Sequence, residues 1–485
     1  MFRASHWWSI ALVFFLIFLV PSNLFFAFPD GSEYVHGLRI DYLIPKLYLS
    51  DLIAGLLIVT LIVRQRTAVQ TKIRLLFSSK RLRVWVLLCV GLTSIFTLRQ
   101  VLSPVPLSSV AMLFRYCAGI VLLLLLTKTP DLIKKSYLLY ALICTVLMQT
   151  AVALYQWSTQ TSVFGYQLLG EPNLSIPLSL AKTVWQGREL ILPYGTTAHP
   201  NVLAGVLAVY LVAIVHLRHS IHWRWSSGSL AILAVVLGGS ALLLTQSVSG
   251  IMALVIGLSI VALQTRSKER FSPLYSIKAS VFYGVFVIGS ILVVQLLHFG
   301  AVMFPANDSI VRRAHLNSAA IQQFIQRPLV GSGLTIFTYS LDKSLSYGEV
   351  IVPFVQPAHN VFILLLGEVA VLGFAVLWSL RQLLLHFDSE LDSELGSKPN
   401  SKPILQQKIH QDSQPKSQLH SHTWFSADIP TLALMLLPIA WLDHYLITLQ
   451  SGILLLVITP LLIMKVPQEK ISVTALRKNG RGRRR

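Results

Sequence analysis

Charge is scarce in this chain. Only 12% of its 485 residues are Asp, Glu, Lys or Arg, where a soluble domain carries about 25%. Acid is scarcer still, with 20 Asp and Glu against 40 Lys and Arg. So few charges cannot clothe a water-facing surface of this size, which excludes a soluble globular protein. Cysteine is nearly absent too. Cys89, Cys117 and Cys144 all lie inside apolar runs, so neither a disulfide framework nor a thiolate metal site is expected. The chain has no Walker A loop, no glycine-rich dinucleotide fingerprint, no zincin motif and no visible internal repeat. Soluble nucleotide chemistry is therefore unsupported, and no cofactor or metal is expected.

What the chain has in abundance is apolar sequence, 54% of it, with a mean hydropathy of +0.66. Runs of about 20 apolar residues read as membrane helices. Twelve can be drawn, at 9–28, 43–63, 84–98, 107–127, 136–156, 199–217, 228–245, 247–265, 277–297, 360–384, 429–447 and 451–466. The fold class expected is an all-α integral membrane protein, one polytopic domain over 1–485. The first run lacks a small-residue cleavage site and is read as a retained helix. The net charge of +20 does not point to nucleic acid, because Lys and Arg fall in short clusters between spans. Those clusters include Arg64 to Arg83, Lys128 to Lys135, Arg218 to Arg224, Arg266 to Arg270 and the closing Arg481 to Arg485. A twelve-span count puts all of them on one side. The positive-inside rule makes that side cytoplasmic, with both termini inside.

Two long loops, 157–198 and 298–359, then face outward, and loops of that length tend to carry function or disorder. The second should hold a short interfacial helix near 309–326, with an apolar spacing of Ile310, Leu316, Ala319, Ala320 and Phe324. On the inner side, 386–428 is rich in Ser, Gln, Lys and Pro and reads as a disordered linker. Its His410, His420 and His422 read as solvated polarity. A basic tail follows at 467–485.

Four constellations stand out. The chain dives into the bilayer at His359-Asn360, where an imidazole of ordinary pKa about 6.5 is suited to general base work. Tyr194 to Asn201 leads into another helix mouth at His199 and Pro200. That run is read first as helix-start punctuation, with Asn201 either a cap or a polar group facing a cavity. Arg312-Arg313 are either phosphate ligands or residues snorkelling to headgroups, with even weight. Glu368, on the face of residues 360, 364 and 371, reads as a structural hydrogen bond, and Asp443-His444-Tyr445 as polar glue between helices.

The ordered set YGTTAHPNVLAG (194–205), TQSVSG (245–250), SIVRRAHLNSAA (309–320), PLVGSGLTIF (328–337), PAHNVFILLLGEVAVLG (357–373) and LDHYLITLQSG (442–452) resembles the O-antigen ligase and O-antigen polymerase family of bacterial membrane glycosyltransferases. The likeness spans about residues 40 to 465. It implies a GT-C kind of enzyme that moves a glycan from a polyprenyl pyrophosphate carrier to an acceptor hydroxyl. The acceptor would be on lipid A core, another glycan or another envelope molecule, at the outer face of the bacterial cytoplasmic membrane. It implies His359 as catalytic base and Arg313 as a phosphate ligand. Arg312, Arg188, His199, Asn201 and Asn360 complete the expected substrate contacts. Membrane lipid is the expected surrounding partner. Two departures are visible: relatives often carry Arg where this chain has Val248, and close ones carry Arg shortly before the YGT motif, near Leu192. A transporter or flippase for envelope glycolipids, and an inactive member of the same fold, are the competing readings.

Overall fold

The computed structural model describes all residues except 1, 36, 67–69, 71–78, 130–131, 133, 168, 176–179, 219–224, 267–275, 345–354, 397–427 and 464–485. Much of the basic loop sequence and the whole of the tail therefore lie outside the described residues.

Helices dominate. The first half of the chain forms α1 (Phe2–Leu19), α2 (Leu49–Arg64), α3 (Lys80–Val101), α4 (Pro106–Thr127), α5 (Lys135–Thr159), α6 (Pro200–Arg218) and α7 (Trp225–Leu244). The second half forms α8 (Val248–Arg266), α9 (Ala279–Met303), α10 (Asp308–Gln326), α11 (Phe337–Ser344), α12 (Val361–Glu368), α13 (Ala370–Gly396), α14 (Leu437–Leu442), α15 (Tyr445–Thr448) and α16 (Gln450–Ile463). Seven of these helices are long and apolar enough to cross a membrane, namely α3 to α6, α8, α9 and the first part of α13. Every one of the twelve expected runs contains helix, but several differ from the expected outline.

The first two spans are shorter than expected at their facing ends. Proline disfavours continuing a helix, and the chain turns at Val20 and Pro21. Residues 25–27 then pair antiparallel with 46–48 instead of extending either helix. The start of α2 is fixed by Asp51, whose carboxylate accepts from the Tyr48 amide at 2.9 Å. Three further two-stranded pairs occur, so the helical chain carries small β elements that apolar composition does not announce. The loop expected from 298 begins later, because α9 runs to Met303. Its helix, α10, covers Asp308–Gln326, close to the expected 309–326. The helix α13 continues to Gly396, into the stretch expected as linker, whose remaining residues to 427 are outside those described.

The core is built around α6. A helix apolar on all sides belongs in an interior, and 83% of the α6 span is buried, against 11% for α3 and for α9. Those two turn Leu87, Val90, Ile288 and Leu292 outward, as lipid-facing helices do. Close approach of α8 to α6 rests on Gly250: a Cβ there would lie 2.6 Å from that of Ala204. Small residues at such contacts let helix backbones pack.

The expected span 360–384 is broken. The helix stops at Glu368 and restarts at Ala370, whose φ is +46°. A chain break at membrane depth is tolerated only where protein satisfies the freed backbone groups, and here the 328–333 segment does so. Ser332 and Gly333 amides donate to the carbonyls of Gly367 and Glu368 at 2.9 and 2.8 Å. The Val371 and Leu372 amides donate to Pro328 and Leu329 at 3.2 and 2.8 Å. Gly331 makes this crossing possible: its φ is +67°, and a Cβ would sit 2.2 Å from the Glu368 carbonyl oxygen. The expected span 429–447 is broken as well, between α14 and α15, with Asp443 extended at φ −146° and ψ 161°.

Candidate functional site

Four segments far apart in sequence converge on one polar cluster, here called the recess: the start of α6, the first turns of α10, the entry to α12 and the break between α14 and α15. Each is held there by local chemistry. At the α6 entry the His199 carbonyl accepts from Val202 and Leu203, at 3.0 and 3.2 Å. His199 is thus the residue that opens the helix, with Pro200 in its first turn, where the missing amide is harmless. The Thr197 hydroxyl bonds to the carbonyls of Tyr194 and His199 at 2.7 and 2.9 Å. The Asn201 amide donates to His199 Nδ1 at 3.1 Å, which fixes that nitrogen as the acceptor and leaves Nε2 carrying the proton.

At the α12 entry, Asn360 is fully buried. Its Oδ1 accepts from the Ile363 amide at 3.2 Å and its Nδ2 donates to the Ser290 carbonyl of α9 at 3.3 Å. Both ends of the amide are thus engaged in capping and in tying α12 to α9. The structure gives Asn360 an anchoring place and not a substrate-facing one. His359, one residue earlier, is 9% exposed, and its Nδ1 has no hydrogen-bond partner. Burial holds its pKa well below the ordinary value. The His444 ring, Arg313, Arg312 and His199 push in the same direction.

Arg312 and Arg313 are both partly buried on α10, which is capped by Asn307, Oδ1 to the Ile310 amide at 3.2 Å. Arg312 Nε is buried with no partner. Burial and the neighbouring Arg313 pull the Arg312 guanidinium down from its ordinary value. Two adjacent cations with unspent donors make a place for an anion with several oxygens. Both charges bear on His359 and on His199. His199 is exposed at the α6 entry yet crowded by protein around it. That enclosure, then Arg313 and Arg312, brings its pKa down to about 4.

The fourth wall was assigned to helix-helix glue by the sequence and carries more than that. Asp443 accepts from Asn201 Nδ2 at 2.9 Å, so Asn201 links two walls. Arg313 is among the charges that act on Asp443. His444 places its ring 5.0 Å from that of His359 at 83° and 5.3 Å from that of Tyr42 at 79°. Its Nδ1 lies 2.7 Å from the Thr448 hydroxyl, which itself donates to the His444 carbonyl at 3.2 Å. Nδ1 is therefore the donor, and Nε2 keeps its lone pair. The signal for Asp443 and His444 was present in the sequence as costly polar groups inside an apolar run. Their partners were not.

Arg188 is not brought to this recess. It lies exposed beside the Gln186-Gly187 turn of a hairpin pairing Lys182–Trp185 with Arg188–Ile191, and it is absent from the charges acting on His359 or His199. Glu368 makes the structural bond expected of it, accepting from the Phe337 amide at the start of α11 at 3.3 Å. Tyr445 packs its ring against Gly205.

Among the described residues one group of donors fits a metal. A ring nitrogen from each of His359 and His444 and a carboxylate oxygen of Asp443 all lie within 4.8 Å of one another. Two imidazoles and a carboxylate are a common set for zinc.

A many-helix apolar chain that gathers histidines and arginines at helix mouths is a membrane protein with a polar recess, built around seven helices able to span a bilayer. Residues 233–378 match the O-antigen ligase family model, which bears out the family resemblance read in the sequence. The matched stretch includes Arg312, Arg313, His359 and Asn360, whereas His199, Asn201, Asp443 and His444 fall outside it. No curated protein matches the chain.

Proposed function

We propose that this chain is a glycosyltransferase of the O-antigen ligase or polymerase kind. It would take a glycan from a polyprenyl pyrophosphate and pass it to an acceptor hydroxyl at the outer face of the bacterial cytoplasmic membrane. The observation that carries this reading is the unpartnered Nδ1 of buried His359, in the recess where the charges of Arg312 and Arg313 converge. In this reading the His359 lone pair takes the proton of the acceptor hydroxyl. The oxygen attacks the anomeric carbon from the face opposite the carrier, and the carbon–oxygen bond to the pyrophosphate breaks with its electron pair going to the leaving group. Arg313 and Arg312 stabilise the charge that grows there. Because His359 is held neutral, it is in the base form at neutral pH. The arriving pyrophosphate offsets the arginine charges and strengthens the base where it is used. A positioned base contributes roughly 10² to 10⁴ in rate. Asp443 and Asn201 position the arginine side of the recess, and His199 shapes its rim. The metal-free reading is preferred because the charge of Arg313 already acts on Asp443, the one carboxylate of the possible metal set.

The same reading places both termini in the cytoplasm, twelve spans in the membrane, and the loops 157–198 and 298–359 outside. A second reading draws on a specific observation. The breaks in two spans, at Val369 and at Asp443-His444, are of the kind that transporters use at their binding sites. Purified protein given a polyprenyl-pyrophosphate glycan and an acceptor distinguishes the two. Transfer of the glycan, lost in His359→Ala, supports the enzyme. Movement of the glycolipid across a bilayer without transfer replaces it with the transporter.

A further inference from the structure

A second basic recess lies at the other end of α10. Arg327 follows the last residue of that helix, and Arg99 projects from the end of α3. Together with Gln323, Gln326, Ser332 and Tyr339 they line a cavity of about 80 Å³. At 1.5 Å per residue, the fourteen residues from Arg313 place Arg327 about 20 Å away, so this cavity is separate from the His359 recess. Arg99 donates to the Ser332 carbonyl, and its neighbour Gln100 accepts from the Leu334 amide at 2.9 Å. These bonds fix the wall and use only part of the Arg99 guanidinium. Neither arginine has a carboxylate partner among the described residues. Two like charges lining one cavity focus a positive potential there.

Two further observations narrow the ligand. Gln323 is 4% exposed, its Nε2 donates to the Phe337 carbonyl at 3.4 Å, and its Oε1 is buried with no partner. A buried carbonyl oxygen left unpaired is costly and calls for a hydroxyl or amide donor. Around the basic groups, Leu98, Leu102, Ile325 and Leu329 are exposed apolar side chains, the surroundings of an amphiphile and not of a free ion. We propose that this cavity binds the phosphate of a membrane lipid whose headgroup also carries a hydroxyl. Arg99 and Arg327 hold the phosphodiester oxygens, Gln323 Oε1 accepts from the headgroup hydroxyl, and the acyl chains lie along the apolar rim.

The test uses the full-length protein in mild detergent, with lipid retention followed by native mass spectrometry. Probes are phosphatidylglycerol, phosphatidylmethanol (the same phosphodiester without a free hydroxyl), phosphatidylcholine and soluble glucose 1-phosphate. The wild type should retain phosphatidylglycerol over phosphatidylmethanol, and both over phosphatidylcholine. Loss of one charge-assisted contact should weaken phosphatidylglycerol about tenfold in Arg327→Gln. That residue is exposed, so its variant should fold even if Arg99→Gln, which frees the Ser332 wall, does not. Gln323→Leu should erase the preference over phosphatidylmethanol. Arg313→Gln should leave retention unchanged. Unaltered binding in Arg327→Gln, an equal loss in Arg313→Gln, or displacement of the lipid by equimolar glucose 1-phosphate would each overturn the proposal.

Discussion

The imidazole of His444 stands edge-on to that of His359, ring centres 5.0 Å apart at 83°. The two rings come from segments well separated in the sequence, and each sits at a helix interruption or entry. Their meeting defines the recess. With Nδ1 of His444 committed to Thr448, the His444 ring is held in place while His359 keeps an unpartnered nitrogen. In the proposed mechanism His359 is the base and His444, whose Nε2 also keeps its lone pair, is a positioning residue.

His359→Ala should therefore lower transfer by roughly 10² to 10⁴ while donor binding and thermal stability stay near wild type, because the lost interaction matters chiefly in the transition state. Thr448→Val, which frees the His444 ring, should lower the rate less, with no change in donor binding. Radiolabelled glycan transfer measured beside donor binding separates these effects. Wild-type turnover in His359→Ala would remove the base from the mechanism.

The pH dependence follows from the histidines. His199 has a folded pKa of about 4, below its ordinary value of about 6.5. Between those values the unfolded chain binds more protons, so stability is full above pH 6.5 and is lost as pH falls toward 4. His359 is depressed in the same direction. The acid limb of kcat/KM, which reports the free protein, should lie below pH 6.5. Once pyrophosphate is bound its charge raises the His359 pKa, so the acid limb of kcat should sit at higher pH than that of kcat/KM. Coincident limbs would mean that the donor charge does not reach His359.

How much of this could be read in advance depends on whether a feature is local. The α6 entry was legible because Pro200 and the long apolar run after it are adjacent in sequence. So was α10, whose apolar spacing predicts its bounds to within a residue at its start. The break at Val369 was not legible. Apart from Glu368 the sequence there stays apolar, and the interruption is made by Pro328 to Gly333, which arrives from some forty residues upstream to take over the backbone bonds. Asp443 and His444 were visible as polar glue between helices, which the Asn201–Asp443 bond bears out, but their neighbours Asn201, Arg313 and His359 come near them only in three dimensions. Arg188 failed for the converse reason: a guanidinium in the right loop sits on an exposed hairpin.

A metal test follows from the donor set. In the metal-free reading, transfer survives exhaustive treatment with EDTA. Added zinc should inhibit it by binding His359, Asp443 and His444, and Asp443→Asn should weaken that inhibition. Loss of transfer on chelation, with recovery on adding one divalent ion, would replace the base mechanism by a metal-assisted one.

Topology can be checked independently of activity. In a chain lacking Cys89, Cys117 and Cys144, a cysteine placed at Asp342 should react with an impermeant maleimide added to intact cells. One placed at Ser397 should react only after lysis. This follows from gathering the basic clusters on the cytoplasmic side. The reverse pattern would turn the His359 recess toward the cytoplasm and exclude an outer-face acceptor.

The last prediction concerns Val248, where the family resemblance implies an arginine that this chain lacks. Val248 opens α8 and is 63% exposed, beside Ser249, whose side chain is among the groups that act on Asp443. An arginine at 248 would therefore have room to extend and would start one residue from a side chain that acts on Asp443. Helix starts favour anions, not cations, so Val248→Arg should cost a few tenths of a kcal/mol in stability. With the donor present, a third guanidinium on the pyrophosphate should lower its KM about tenfold, the value of one charge-assisted bond. The rate constant should rise less, because the pyrophosphate is charged before reaction as well as during it. Val248→Lys should give a smaller gain, since an ammonium lacks the planar fork, and Val248→Gln none. If Val248→Arg leaves donor binding unchanged while His359→Ala still abolishes transfer, the pyrophosphate does not lie on the Ser249 side of the recess. Its ligands would then be Arg312 and Arg313 alone.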